Sequence, residues 1–151
     1  MSEWLLLFHV LFAMIWFGGS VYLEGLMAAA GRTGEAAAVT TVFRSVAPTN
    51  RRLFSIAGIG SIVFGFWLVA EVGLEFESLW IAVAIVASLL AIGLDLFYAT
   101  PRSSKILTLV NANGAEDAEA AELAAKVSIA GHVRTLLLAI AFVMMIFKPG
   151  G

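Results

Sequence analysis

Five side chains that can carry charge lie in the long apolar stretches of this chain: His9, Glu24, Asp95, His132 and Arg134. A polar group within lipid is costly, and each one is therefore a functional-site hypothesis. Imidazole can ligate a metal or a haem iron. A carboxylate beside a guanidinium can instead form a buried ion pair, carry a proton or help to bind an anion. The search for chemistry in this sequence starts from these five residues.

Depth in the bilayer divides the five into two groups. With the middle of each predicted span as the bilayer centre, His9 lies roughly 10 Å toward the outside and His132 roughly 7 Å toward the cytoplasm. Asp95 lies near the depth of His132, Arg134 lies slightly nearer the centre, and Glu24 lies at the inner boundary. We therefore predict an inner polar cluster of Glu24, Asp95, His132 and Arg134, with His9 alone in the outer half.

The inner cluster has a structural and a functional interpretation. In the first, Arg134 pairs with Asp95 or Glu24 and fixes the order and register of the helices. In the second, the cluster is a proton path or an anion site in which Arg134 receives a carboxylate. His132 and Arg134 point about 200° apart on one helix, so both can serve one ligand only with help from another helix.

His9 also has two interpretations. It can be an axial ligand to haem b, held between helices of a bundle, with His132 as the second ligand. The depth difference of roughly 17 Å between the two histidines opposes that pairing. The alternative is a histidine that hydrogen-bonds to a backbone carbonyl or to a neighbouring serine. The candidate metal ligand is thus His9, and the candidate haem contacts are His9, Trp16, Gly19, His132 and Arg134.

Trp16 to Gly19 reads WFGG and predicts close packing, because glycines let a neighbouring helix or a flat ligand approach. The chain has five methionines without the regular spacing of a copper path. It has no cysteine, which excludes disulfides, zinc–sulfur sites and iron–sulfur clusters. No catalytic residue can be assigned from these patterns.

The composition is that of a membrane protein in contact with a lipid bilayer. Apolar residues make up 61% of the chain and charged residues 13%, against about 25% charged residues in soluble domains. The net charge of −2 and the lack of a basic run indicate no nucleic-acid partner. The first apolar stretch is too long for a signal peptide, and Glu3 lies where a positive charge is expected, so we predict a retained transmembrane helix.

We predict an all-α integral membrane four-helix bundle that forms a single membrane domain over residues 1–151. Apolar runs of about 20 residues can cross a bilayer, which places the spans at about 4–27, 52–72, 79–99 and 127–147. The residues between spans 1 and 2 are too polar to cross and predict a short interfacial helix. Thr100-Pro101 is expected to end the third span.

The distribution of basic residues predicts the orientation. Arginines and lysines are concentrated in the two loops that join span 1 to span 2 and span 3 to span 4, whereas only Lys148 lies on the opposite side. The positive-inside rule therefore predicts an N-out/C-out protein of the cytoplasmic (cell) membrane. Small residues repeat along spans 2 and 3, and these faces pack either within one bundle or in a homo-oligomer or larger complex.

The stretch from Phe8 to Gly19, with the pattern HxxxxxxWxGG, resembles the first helix of the small membrane families around HemJ and CopD. With Arg51-Arg52 entering a glycine-rich second helix, the chain is similar over nearly its whole length to a related family of predicted four-helix integral membrane proteins. The resemblance implies that His9 corresponds to the first-helix histidine linked to haem in HemJ-like proteins. The lysine that those proteins use in a later helix has no counterpart in spans 2 and 3, and CopD-like proteins are associated with copper handling.

Three functions follow as expectations. The first is a membrane-embedded haem b-binding protein with a redox or haem-handling role. The second is a cofactor-free helical scaffold, such as a small subunit of a larger membrane complex. The third is a small-solute or ion conduit, which requires the inner polar cluster to join a wet path.

Overall fold

The computed structural model describes residues 1–149, without the side chains of residues 47–51. The chain forms α1 (Ser2–Arg32), α2 (Ala36–Val72), α3 (Leu79–Gly93), a π-helical turn (Leu94–Ala99), α4 (Thr100–Asn113) and α5 (Ala118–Phe147). No strand lies among residues 1–149. Four segments are long and apolar enough to cross a membrane: Ser2–Arg32, Arg52–Val72, Leu79–Asn113 and Ala118–Phe147. The predicted all-helical membrane fold is thus confirmed.

The ends of the helices follow local chemistry. Gly34 and Gly73 adopt φ values of +74° and +70°, a left-handed conformation that glycine adopts without steric cost. Asp117 caps α5, since its Oδ1 accepts the backbone N–H of Ala120 at 2.8 Å. The other oxygen of Asp117 accepts from Asn113 Nδ2 at 2.6 Å, and these hydrogen bonds hold the pKa of Asp117 below its ordinary value.

The short helix predicted between spans 1 and 2 is present as Ala36–Val46, the first part of α2. It packs against neighbouring elements, because Phe43 is buried with Ile106 of α4, and Thr40 Oγ1 donates to the carbonyl of Ala115 at 2.6 Å. The side chain of Arg51, part of the Arg51-Arg52 pair, lies outside the described residues.

The prediction that Thr100-Pro101 ends the third span is wrong, because the chain continues as α4. Proline lacks an N–H, and in a regular α-helix its ring clashes with the carbonyl four residues earlier. The π-helical turn lies immediately before Pro101 and widens the backbone there, so that the N–H of Thr100 bonds to the carbonyl of Asp95. The wide turn therefore lets a proline continue a membrane-length helix of 35 residues.

The small residues of α2 pack against α1. Ala57 and Ser61 are buried, and the His9 ring lies so close to Gly65 that a Cβ there would be 2.9 Å from its Cε1 atom. Close approach of two backbones through small residues is the usual way in which helices pack in lipid. This predicted face is therefore occupied within the chain itself.

The small residues of α3 pack against α5. Ala84 and Ala87 form a cluster with Ala141, and Ala91 lies with Leu138 in the central cluster around Trp16. The face of α3 that leads toward Asp95 is thus directed into the bundle. α1 packs mainly against α2, and α3 packs mainly against α5. The cavity described below is lined by residues of α1, α2, the π-helical turn, α4 and α5.

Candidate functional site

Three charged side chains from three different elements meet inside the bundle. Arg134 of α5 donates from Nη1 to Asp95 Oδ1 at 2.8 Å. Its Nη2 atom lies 3.5 Å from Oε1 of Glu24, which belongs to α1. Arg134 is 5% exposed and Glu24 is 9% exposed. We call Glu24, Asp95 and Arg134 the charged cluster; these three residues, together with His132, were expected to lie close together.

The position of Glu24 depends on the buried face of α1 and on a glycine of α5. Trp16, Ser20 and Glu24 recur every four residues and are all buried, which places them on one side of the helix. A Cβ at Gly131 would collide with the carboxylate of Glu24. Gly131 therefore provides the notch that brings the carboxylate of Glu24 beside Arg134.

The position of Asp95 depends on the π-helical turn. Asp95 is the second residue of Leu94–Ala99, and its carbonyl accepts the N–H of Thr100, five residues later. The extra residue in a π-helical turn changes the direction of side chains relative to a continuous α-helix, and such turns recur at functional sites. This turn therefore both accommodates Pro101 and places Asp95 within hydrogen-bond distance of Arg134.

His132 contacts the cluster from its outer edge. Its Nδ1 atom lies 3.1 Å from Glu24 Oε2 and 2.7 Å from the carbonyl of Ser128. The side chain of His132 is 59% exposed. His132 and Arg134 point in opposite directions on α5. The carboxylate of Glu24, which belongs to α1, lies between them and contacts both.

His9 lies apart from the cluster. Its Nδ1 atom is 2.8 Å from the carbonyl of Ser61, and its half-buried ring rests on Gly65. This contact matches the alternative in which His9 hydrogen-bonds to a backbone carbonyl. His9 thus contacts α2, whereas His132 contacts Glu24 of α1.

Trp16 and Gly19, two more of the predicted haem contacts, pack against α2. Trp16 is 2% exposed and lies beside Gly58, where a Cβ would be 3.2 Å from its Cε2 atom. Gly19 faces the ring of Phe54, and a Cβ on this glycine would lie 2.5 Å from Phe54 Cε1. Across residues 1–149, no group of three or more histidine, aspartate or glutamate side chains is arranged to hold a metal ion.

A cavity of about 810 Å³ adjoins the charged cluster. It lies among α1, α2, α4 and α5, and its lining includes all three cluster residues. Apolar side chains such as Met27 and Phe54 form much of the wall, and hydroxyl groups of Ser55 and Ser103 lie among them. Arg52 and Ser104 line the cavity and are exposed, so the cavity reaches the protein surface at this edge.

The sequence interpretation did not identify the cavity or its hydroxyl groups. Ser103 and Ser104 follow Pro101 and therefore looked like loop residues, whereas they are helical and line the cavity. The available signal was their spacing, because Thr100, Ser103, Ser104 and Leu107 repeat at helical intervals. That pattern becomes meaningful only when Pro101 is recognised as compatible with a continued helix.

Several polar atoms at the cluster lack a hydrogen-bond partner. They include Nε and Nη2 of Arg134 and Oε2 of Glu24, all buried. Buried polar groups are nearly always hydrogen-bonded, so each exception requires an explanation. Here the unpartnered atoms of Arg134 belong to a side chain that lines the cavity. The arrangement can therefore accept a proton, an ion or a polar ligand group.

Comparison with known proteins places the chain in a family. Searches of curated proteins and of solved structures returned no match. Residues 3–149 match the model of a family described as "Predicted integral membrane protein (DUF2269)". The match covers almost the whole chain, and the four membrane-length helices agree with this description. It confirms the resemblance to a family of predicted integral membrane proteins, and the chain belongs to the DUF2269 family.

Proposed function

We propose that this protein is a small-solute conduit of the membrane, which admits a solute into the cavity and binds it at the charged cluster. One observation carries the proposal: the buried side chains of Glu24 and Arg134 and the half-buried side chain of Asp95 meet at the wall of a cavity of about 810 Å³. Ligand sites typically measure about 300–1,000 Å³, with apolar walls and a few convergent polar groups. The cavity has this size and this character.

The charge balance of the cluster favours a site that binds something. When ionised, Glu24 and Asp95 carry two negative charges, and Arg134 supplies one positive charge. An uncompensated charge within a membrane protein is unfavourable. The cluster is therefore balanced by a proton, a bound cation or a protonated His132, and a site that takes up charge in this way can couple solute binding to protonation.

The cavity also supports a conduit in preference to a scaffold. An ion pair that only fixes helix order needs good geometry and a full set of hydrogen bonds. Here Nε and Nη2 of Arg134 make no hydrogen bond, and the adjoining space is not filled by side chains. The basic residues near this edge, including Arg52, support an opening toward the cytoplasm by the positive-inside rule.

Haem binding by His9 stays a separate prediction that rests on the resemblance to HemJ-like proteins. The bond from Nδ1 to the Ser61 carbonyl leaves Nε2 as the only ring nitrogen for a metal, a tautomer that metal-binding histidines often use. His9 contacts the carbonyl of Ser61 and His132 contacts Glu24, so the second ligand is a separate question from His9. Absorption spectra of the oxidised and reduced protein, purified from haem-supplied cells, test this prediction; a Soret band that persists in His9→Leu would refute His9 as the ligand.

Single-cysteine labelling tests the conduit, since the natural chain has no cysteine. Ser55→Cys and Ser128→Cys place thiols on two walls of the cavity. Ser88→Cys is the matched control, because Ser88 is also half-buried but does not line the cavity. We expect a water-soluble, membrane-impermeant maleimide to label the two cavity positions from one side of the membrane and to leave position 88 unlabelled.

Equal labelling of all three positions, or of none, would contradict the proposal. Absence of labelling at 55 and 128 would mean that water does not enter the cavity, and the scaffold interpretation would then be preferred. Labelling only from the outside would leave the conduit in place but reverse the expected orientation of the opening.

A further inference from the structure

We propose that the solute is a monocarboxylate with an apolar body, bound by the Nε–Nη2 edge of Arg134 and taken up together with one proton on Glu24. The inference rests on the proposed function and assigns its substrate class. It follows from the hydrogen-bond capacity of Arg134, from the position of Glu24 and from the wall of the cavity.

Arg134 uses only one side of its guanidinium within the protein. Nη1 donates to Asp95 Oδ1 at 2.8 Å, while Nε and Nη2 are buried without a partner. Those two nitrogens form one edge of the planar guanidinium, and their parallel N–H groups match the two oxygens of a carboxylate. The unused edge belongs to a residue that lines the cavity, so the group best suited to complete it is a carboxylate.

Glu24 lies beside this edge but does not occupy it. Its Oε1 is 3.5 Å from Arg134 Nη2, longer than a good N–H···O bond of about 2.7–3.2 Å. Its Oε2 lies 3.1 Å from His132 Nδ1 and makes no hydrogen bond. The notch at Gly131 holds the carboxylate in this intermediate position, where it can be released by protonation.

The charges explain why a proton accompanies the anion. The groups that face Glu24 are Arg134 and His132 of α5 and Asp95 of the π-helical turn, and Arg52 of α2 lines the same cavity. A second ionised carboxylate beside Arg134 would add one more negative charge to the cluster. If Glu24 takes up a proton as the solute carboxylate enters, the total charge is unchanged, and the solute carboxylate replaces Glu24 as the second anion near Arg134.

The remaining contacts indicate the rest of the solute. The Phe54 ring lies 5.2 Å from Arg134 Cζ, a distance at which a cation and an aromatic ring attract, and this helps to hold the guanidinium plane. Leu23, Met27 and Phe43 add apolar surface to the cavity. Arg52 is exposed at the rim, where a positive charge attracts anions. An apolar body behind a single carboxylate fits this wall.

Calorimetric titration of the detergent-purified protein with three probes of one shape tests the inference. Benzoate, benzylammonium and benzyl alcohol differ in charge and share the aromatic body. We expect benzoate to bind, more tightly at pH 5.5 than at 7.5, with about one proton taken up in the higher pH range, as measured by the dependence of the heat on buffer ionisation. The other two probes should bind at least about tenfold more weakly, since a charged hydrogen-bond pair is absent.

Two variants separate the roles. Glu24→Gln imitates the protonated residue, and it should keep benzoate binding but lose proton uptake and pH dependence. Arg134→Lys keeps the charge without the two-nitrogen edge, and it should weaken benzoate binding by about tenfold or more, provided that circular dichroism and gel filtration match the parent. Unchanged benzoate affinity in a folded Arg134→Lys variant would overturn the inference.

The outcome also distinguishes the inference from the proposed function. Binding of benzylammonium in preference to benzoate, or binding of no probe, would overturn the carboxylate assignment. If Ser55→Cys and Ser128→Cys are labelled in those cases, the conduit itself still stands. If those positions are not labelled, the conduit and the carboxylate assignment fail together.

Discussion

The environments of His9 and Arg134 differ in how completely their polar groups are satisfied. His9 has one hydrogen bond, to the carbonyl of Ser61, and rests on Gly65. Arg134 has a short bond to Asp95 but two buried, unpartnered nitrogens on a side chain that lines a cavity. Both are polar residues in apolar helices, so the sequence alone gives equal reason to expect a functional site at each of them. Unfilled hydrogen-bond capacity next to open space, more than polarity alone, is what points to a binding site.

The surrounding residues reinforce this contrast. Around His9 the neighbours are aromatic and apolar: Phe12 and Phe8 stack on Phe64, with ring centroids 5.6 and 5.3 Å away. Around Arg134 the helices border a cavity, and Asp95 and Ala99 of the widened turn at Leu94–Ala99 line it. The region around His9 is closely packed, whereas the region around Arg134 borders a cavity.

Loss of the Arg134 charge should produce the largest effect on stability. Arg134→Met leaves the buried Glu24 and the half-buried Asp95 without a cation, and breaking a buried pair in this way costs about 3–5 kcal/mol. We expect a greatly lowered unfolding temperature in detergent, or no folded protein. Arg52→Met removes an exposed arginine from the rim of the same cavity and should change stability by about 0.5 kcal/mol or less. Equal unfolding temperatures for the two variants would show that the cluster does not stabilise the bundle.

Filling the notch at position 131 should produce the next largest effect. Gly131→Ala forces a Cβ into the carboxylate of Glu24, and overpacking of this kind costs about 1–3 kcal/mol. Gly25→Ala is the control, because nothing lies within 4 Å of its Cβ position. Combining Gly131→Ala with Glu24→Ala should remove the collision, so that Gly131→Ala costs less in the double variant. An additive result in thermal unfolding would mean that the two residues are not in contact.

Replacement of His9 should have a smaller effect. His9→Leu removes one hydrogen bond, with a net cost of about 0.5–1.5 kcal/mol, and it leaves the cavity lining intact. Benzoate affinity should therefore equal that of the parent protein, whereas Arg134→Lys should weaken it by about tenfold or more. A loss of benzoate binding in His9→Leu, at unchanged helix content, would connect the two regions and remove the distinction drawn between them.

The sequence predicted the helices well and the cavity poorly, and the physical reasons differ. Hydrophobic length alone placed a span at 52–72, and in the structure these residues are helical and the helix ends at Val72. The helix through Pro101 was missed, because a proline is compatible with a continuing helix only if the preceding backbone widens. That widening is a property of the folded turn and leaves no distinct composition in the sequence.

The proximity of Asp95 and Arg134 was easier to predict than the space beside them. Opposite charges buried at similar depth must find partners, and Arg134 Nη1 indeed lies 2.8 Å from Asp95 Oδ1. A cavity depends instead on how several helices pack around it, and no local sequence pattern encodes that arrangement. Gly131 also carried no signal of its own, since its role is apparent only beside Glu24.

The smallest predicted effect lies at the start of α5, far from the cluster in sequence. Asp117→Ala removes the acceptor for the Ala120 N–H and the partner of Asn113, so the unfolding temperature at neutral pH should fall slightly. Glu116→Ala is the control, since Glu116 is exposed and does not cap the helix.

The pH dependence of this effect has a defined sign. Hydrogen bonds to the ionised carboxylate hold the pKa of folded Asp117 below its ordinary value, so the unfolded chain binds this proton more readily than the folded chain does. The stabilisation is therefore complete above about pH 4 and is lost as the pH falls through the lower, folded value. The difference in unfolding temperature between parent and Asp117→Ala should shrink in acid. A constant difference in unfolding temperature from pH 7 to acid would mean that the stabilisation by the cap does not depend on the charge of Asp117.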